Sequence, residues 1–441
     1  MRNFLLVLGV LAGLSQPARS QTDDRDQLRV GALPDGRILV PTNQILKPAG
    51  TQTTFPGRPV DLAFLEGGSL VVAKSIAELV FMDAATGKIR QRLATPRVGR
   101  EQTGFSVVGL VTRGNRVFAS DAKSEVRIAQ RQASGAYAWT GTIRVEAPAV
   151  KGEAHPAGMA LLDNDHLWVT STRGNNVQLI DLTTGKVEQV VAVGVAPFMV
   201  VCPTTARCFV TNWGGDLPAA GAQQAVSSKS PIQVDSRTRI ANDGSVSVLE
   251  KVDGRWKQVR TIKVGLHPSG MIADAAGRLL YIANANSDTV SVIDAGTLEV
   301  VETIACRPEA RLPFGSGSNA LALDAAGTRL HVANGTNNCV AVVELGSRGQ
   351  KSRLLGMIPT GWYPGAILAS GDGKQLIVAN IKGHGSLNQP RPVAQGRRTH
   401  DHLGSVSFIP IPDAAQLAAY TKEVAGNNRE AYSLAGLEKP R

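Results

Sequence analysis

His267-Pro268-Ser269-Gly270, Leu280-Tyr281-Ile282-Ala283-Asn284, Thr289-Val290-Ser291-Val292-Ile293-Asp294 and Val300-Val301-Glu302-Thr303-Ile304 follow one another within a single short stretch. The first segment is a small-residue turn with proline that opens an apolar strand. The second is apolar on both alternating faces and ends on asparagine, as an inner strand covered on both sides should. The third alternates, and the fourth is half polar. The same unit returns at His331-Val332-Ala333-Asn334 with Val340-Ala341-Val342-Val343-Glu344, and at Ile377-Val378-Ala379-Asn380 with Val406-Ser407-Phe408-Ile409-Pro410. Upstream it is worn but in phase. Cys208-Phe209-Val210-Thr211-Asn212 leads to Val246-Ser247-Val248-Leu249, and Leu167-Trp168-Val169-Thr170-Ser171 to Val177-Gln178-Leu179-Ile180-Asp181. Arg116-Val117-Phe118-Ala119-Ser120 and Val71-Val72-Ala73-Lys74 open the two earliest copies.

Seven units with a period of about 40 to 50 residues predict an all-β, seven-bladed β-propeller. A lone four-stranded sheet cannot bury both faces, so neighbours must stack and the series must close. The last unit lacks a fourth strand, because Pro412-Asp413 opens an Ala-rich helix through Val424. The apolar run Arg37-Ile38-Leu39-Val40-Pro41, with Gln44-Ile45-Leu46 behind it, is therefore expected to pair with Val406–Ile409 and remove an exposed sheet edge. The expected division is a leader over 1–20, a propeller over 21–412, and a helix with tail over 413–441.

The leader reading rests on Arg2, the apolar run Phe4 to Leu14, and Pro17-Ala18-Arg19-Ser20 before Gln21. That is the pattern of a cleavable secretory signal. No later stretch approaches the roughly 18 apolar residues of a membrane-spanning helix, so a periplasmic or extracellular protein is expected. The formal net charge of +11 is spread along the chain and accompanies no nucleic-acid motif, so no nucleic-acid partner is inferred. In an oxidising compartment the four cysteines invite pairing. Cys202 and Cys208 flank a turn and are expected to bridge it, and Cys306 with Cys339 is the leftover pair.

Asn284-Ala285-Asn286-Ser287-Asp288-Thr289-Val290-Ser291-Val292-Ile293-Asp294 resembles the YVTN repeat of bacterial and archaeal exported propellers. Other segments are similar to the propeller half of bacterial proteins in which a YVTN propeller precedes a phosphoesterase domain. They are Asn212-Trp213-Gly214-Gly215, Ser230 to Asp235, Leu312-Pro313-Phe314-Gly315, Ile358 to Gly365, Lys382 to Ser386, and Pro412 to Tyr420. The resemblance implies an exported propeller used as a recognition module. No residue matches the metal ligands of the phosphoesterase, so phosphoester hydrolysis does not carry over.

Three groups of residues could form a site. His155-Pro156-Ala157-Gly158, His267-Pro268-Ser269-Gly270 and Trp362-Tyr363-Pro364-Gly365 occupy blade-to-blade connections. Such connections gather at one mouth of the central channel, where His155, His267, Trp362 and Tyr363 would make an amphipathic pocket; packing of inter-blade turns is the competing explanation. Asn284, Asn334 and Asn380 recur at one level and could bind a polar ligand, though asparagine there equally serves its own turn. His384, His400 and His402 lie in a Gly, Pro and Arg-rich insertion. They are the weak candidates for a divalent metal, the one cofactor the sequence leaves room for. GxSxG, HExxH and P-loop patterns are absent. The sequence thus favours a non-catalytic module that binds a protein or cell-surface polymer. A lactonase-like hydrolase with its site at the channel mouth is the alternative, and a quinone- or metal-linked redox protein would need ligands that are not visible. Fold does not assign function here.

Overall fold

Strands that are apolar on both faces need cover on both sides, and the second strand of each repeat lies inside a four-stranded antiparallel sheet. The computed structural model describes residues 24–98, 101–148, 152–227, 229–347, 350–386 and 401–437, so the leader lies outside the described residues. The chain is an all-β β-propeller. Six four-stranded sheets follow in chain order over 61–94, 105–144, 156–192, 197–263, 268–305 and 318–359. We number them one to six. Sheet seven takes Trp362–Ala369, Gln375–Gly383 and Leu403–Pro410 from the C-terminal side and Thr51–Pro56 from the N-terminal side.

Each sheet packs on the next through its apolar faces. Val72, Phe81 and Leu79 of sheet one meet Val117 and Ala129 of sheet two. Tyr281 and Val292 of sheet five meet Val332 and Val343 of sheet six. Ile377, Val406 and Phe408 of sheet seven pack on Val71, Val80 and Met82 of sheet one. The first strands likewise lie side by side in order, and Trp362–Ala369 lies against Asp61–Leu65.

The strand that completes sheet seven is not the one expected. Thr51–Pro56 pairs with Leu403–Pro410, with Thr53 opposite Val406. Ile38–Leu39 pairs instead with Gly31–Ala32 and Ile45–Leu46 in a small sheet of its own. The reason is burial. An outermost strand has one wet face, which suits the alternating Thr51-Gln52-Thr53-Thr54-Phe55, where Phe55 alone is buried. The fully apolar Ile38, Val40 and Leu46 bury themselves as a hairpin against Trp362. The two chain ends meet closely: a Cβ at Gly50 would collide with the Phe408 carbonyl, and Gly50 has φ 69°, a position that glycine alone takes without strain.

Helix α1 spans Ala414–Asn427, three residues beyond the expected end, and a second helix, α2, over Glu430–Leu437 was not foreseen. Asp413 caps α1 by accepting from the Gln416 amide at 2.8 Å. Leu417 and Thr421 lie over Gly356 of the outer strand of sheet six, and Thr421 Oγ1 accepts from the Met357 amide at 2.9 Å. Among the described residues no helix is long and apolar enough to cross a membrane.

Candidate functional site

The strand register decides which residues share an end of the propeller. In sheet five Pro268 is opposite Asn284, Asn284 opposite Thr289, and Thr289 opposite Ala305. First strands therefore begin where second strands finish and third strands start. His155, His267, Trp362, Tyr363, the insertion between the second and third strands of sheet four, and His384 and His402 at the two ends of the corresponding connection in sheet seven lie at this one mouth.

The residue before each mouth proline is left-handed: His155 (φ 48°), Ala196 (φ 54°), His267 (φ 55°) and Tyr363 (φ 62°), with Gly317 (φ 67°) at the equivalent place in sheet six. A side chain disfavours this conformation, and a following proline disfavours helical backbone further. Side chains of the preceding sheet hold it in place. Asn175 Oδ1 accepts from the Ala196 amide (3.1 Å), Asp288 from the Gly317 amide (3.0 Å) and Asn338 from the Tyr363 amide (3.0 Å). Local strain is thus built into the mouth and balanced by the neighbouring blade.

The mouth has two different sides. On sheets two to four, Val108, Ala157 and Phe198 form a small buried apolar cluster, with half-buried Trp213 packed against it. Phe198 stacks on Trp213 with ring centroids 4.1 Å apart, and Trp213 on His267 at 4.3 Å. Burial pushes the His267 imidazole down to about 4, so it is neutral at pH 7. His155 is also held below its ordinary value, by burial first and by nearby Arg173 second. On sheets seven and one, Lys382 Nζ lies 4.7 Å from the Trp362 ring centroid and 5.5 Å from that of Tyr363. His402 meets Trp362 edge-on at 5.8 Å.

The asparagines lie beneath the mouth, not in it. Asn284, Asn334 and Asn380 have no exposed surface. Asn284 Nδ2 donates to Thr289 Oγ1 and Ser291 Oγ, and Asn380 Nδ2 to Ser405 Oγ and Ser407 Oγ. Asn334 donates to the Cys306 carbonyl and accepts from Ser318 Oγ. Their amides tie second strands to neighbouring backbone and hydroxyls, which is the work of a repeat asparagine.

Of the three histidines singled out for a metal, His400 lies outside the described residues. His384 is half-buried with its pKa lowered by burial, and the His402 ring packs on Trp362. Among the described residues no group of three or more His, Cys, Asp or Glu side chains is arranged to hold a metal. Cys202 and Cys208 are joined across their turn. Cys306 and Cys339 are not joined, which corrects the expected leftover pair: each is a buried free thiol, pointing at the Ile304 carbonyl and the Met357 sulfur respectively.

Sequence reasoning missed a buried lysine and the half-buried carboxylate opposite it. Lys74 is fully buried, and its Nζ donates to the Val108 carbonyl (2.8 Å) and Ser120 Oγ (2.9 Å) of sheet two. Asp61 is opposite it in the strand register and accepts from the Gly109 amide at 2.8 Å. Burial lowers Lys74 to about 7 against the pull of Asp61 and Asp121, and raises Asp61. The signal was present: Lys74 stands where the other second strands carry Ser120, Thr170, Thr211, Ala283, Ala333 and Ala379. Arg58 and Lys382 were also passed over, because neither breaks a pattern.

Residues 47–190 match a family model described as outer membrane protein assembly factor BamB. No curated protein matches the chain. Among solved structures, hydrazine synthase of Kuenenia stuttgartiensis is similar at 17% identity and TM-score 0.55, over 82% of this chain and 97% of that one. U3-55K is similar at 11% identity and TM-score 0.57, over 82% and 98%. The RRP9 WD40 repeats are similar at 12% identity and TM-score 0.58, over 83% and 100%. At these identities the likeness is one of fold, and it is the propeller fold.

Proposed function

We propose that this chain is an exported, YVTN-type propeller of seven blades, sealed by Thr51–Pro56, that binds a protein or cell-surface polymer through the mouth at which its first strands begin. One observation carries the reading. Left-handed His155, His267 and Tyr363, the Phe198–Trp213–His267 stack and the Lys382–Trp362 pair all converge on that end. A surface part apolar and part cationic, held by strained backbone, suits recognition of an amphipathic partner. The match of residues 47–190 to the BamB model is in keeping with an envelope location. The hydrolase alternative has no such support. Asp61, a carboxylate on an inner strand, is already engaged by the Gly109 amide and by Lys74.

Binding to purified envelope polymers, scored on a glycan array and by sedimentation with insoluble cell wall, tests the reading. Trp213→Ala should abolish retention, while Arg278→Ala at the opposite end should leave it unchanged. Loss in the Arg278 variant with retention in the Trp213 variant would move the site to the other face.

A further inference from the structure

Resting on the mouth reading, we propose that Arg58 and Lys382, at the seam between sheets seven and one, form a subsite for a carboxylate or phosphate group of the ligand. Arg58 lies in the connection from Thr51–Pro56 to Asp61–Leu65, and Lys382 near the end of Gln375–Gly383. Both are half-buried. The connection is pinned in place: the Gly57 amide donates to the His402 carbonyl (3.0 Å), Gly404 to the Gly57 carbonyl (3.1 Å), and the Arg58 amide to Ser75 Oγ (3.0 Å). The Arg58 backbone is thereby fixed beside the strand that follows Lys382.

Several other cations of the chain are paired. Arg92 has Glu78, Arg127 has Asp121, and Lys263 has Asp216 and Asp243. Among the described residues neither Arg58 nor Lys382 has a carboxylate partner, and the buried Arg58 Nε has no hydrogen-bond acceptor. The Lys382 ammonium is instead held below its ordinary value by burial and then by Arg58, a like charge. Two half-buried cations that repel each other, one with an unsatisfied donor, are costly unless an anion lies between them. Guanidinium and ammonium donors together suit a carboxylate or phosphate. The Trp362 and Tyr363 rings beside Lys382 wall the position from one side and strengthen any charge–charge attraction by excluding water.

Isothermal titration at low ionic strength, with inorganic phosphate, glucuronate and neutral glucose as probes, tests the proposal. Phosphate or glucuronate should bind saturably at one site, and glucose should not; which anion binds more tightly identifies the source of the charged group. Arg58→Gln and Lys382→Met should each weaken the anion at least about tenfold. Arg58→Lys and Lys382→Arg should retain most of it, and Arg278→Gln should change nothing. Thermal unfolding of each variant guards against loss of fold. Absence of saturable binding by either anion, or wild-type affinity in folded Arg58→Gln and Lys382→Met, overturns the subsite. If an R58Q/K382M double variant still binds envelope polymer while Trp213→Ala does not, the subsite falls and the mouth reading stands.

Discussion

Asn380 Nδ2 stands 2.8 Å from Ser407 Oγ on the adjacent strand. Asn284 holds Ser291 at 2.9 Å and Asn212 holds Ser247 at 3.0 Å in the same way. Three blades thus fasten the second strand to the third with one buried carboxamide clamp. Glycine makes room for it, since a Cβ at Gly194, Gly265 or Gly361 would press on the side chain of Asn212, Asn284 or Asn380.

Removing one clamp strands buried hydroxyls. Asn284→Ala should cost about 2 kcal/mol in urea unfolding, and Asn284→Asp more, because the new charge would be fully buried. Neither should alter ligand affinity once the protein is folded. A double-mutant cycle with Ser291→Ala should show coupling; strict additivity would deny the clamp.

The seam predicts an ordering of truncations. A chain beginning at residue 57 loses Thr51–Pro56 and bares the Leu403–Pro410 edge. It should unfold at lower temperature and scatter light, as unpaired edges associate. A chain beginning at residue 47 loses the hairpin over Trp362 and the Arg25 and Gln44 bonds to the end of α1 but keeps Thr51–Pro56, and should stay monomeric. The reverse order would place the seal in the hairpin.

Lys74 is buried between sheets one and two, with half-buried Asp61 opposite it in the register. Lys74→Met should destabilise by about 3 to 5 kcal/mol, because Asp61 is left without its cation. Adding Asp61→Asn should recover most of that loss. Equal stability of the single and double variants in denaturant titration would show that the pair does not act as a unit.

Two histidines set an acid limit. Burial brings both His267 and His331 down to about 4 from an ordinary 6.5. The unfolded chain takes up protons below 6.5 that the folded chain refuses until about 4, so stability falls as pH drops through that window. Each contributes up to about 3 kcal/mol at the bottom of it. Denaturant unfolding between pH 7 and 4 should show the slope, and His331→Leu should reduce it. A flat profile would mean that both rings titrate in the fold as they do in the unfolded chain.

The repeat was legible because its signal is periodic. Val290, Val292 and Ile293 in one copy and Val340, Val342 and Val343 in the next all point to stacked sheets, and those residues are buried. Apolarity alone points to the wrong segment for the seam. Ile38 and Leu39 are more apolar than Thr51-Gln52-Thr53-Thr54, yet an outer strand wants a polar face. The histidines and aromatics of the mouth could be listed from turn positions. Their grouping into an apolar side and a cationic side could not, since Phe198 lies on the first strand of sheet four, Trp213 at the start of that sheet's insertion and His267 in the connection to sheet five. Arg58 and Lys382 lie far apart in sequence and become neighbours only when the chain ends meet.

The account stands on recognition at one end of the propeller, and hydrogen exchange with and without bound envelope polymer tests it most directly. Added protection is predicted at amides of 155–158, 196–199, 267–270 and 362–366, with the turns 66–69, 204–207, 274–278 and 371–374 unchanged. Protection confined to those turns at the far end would contradict it.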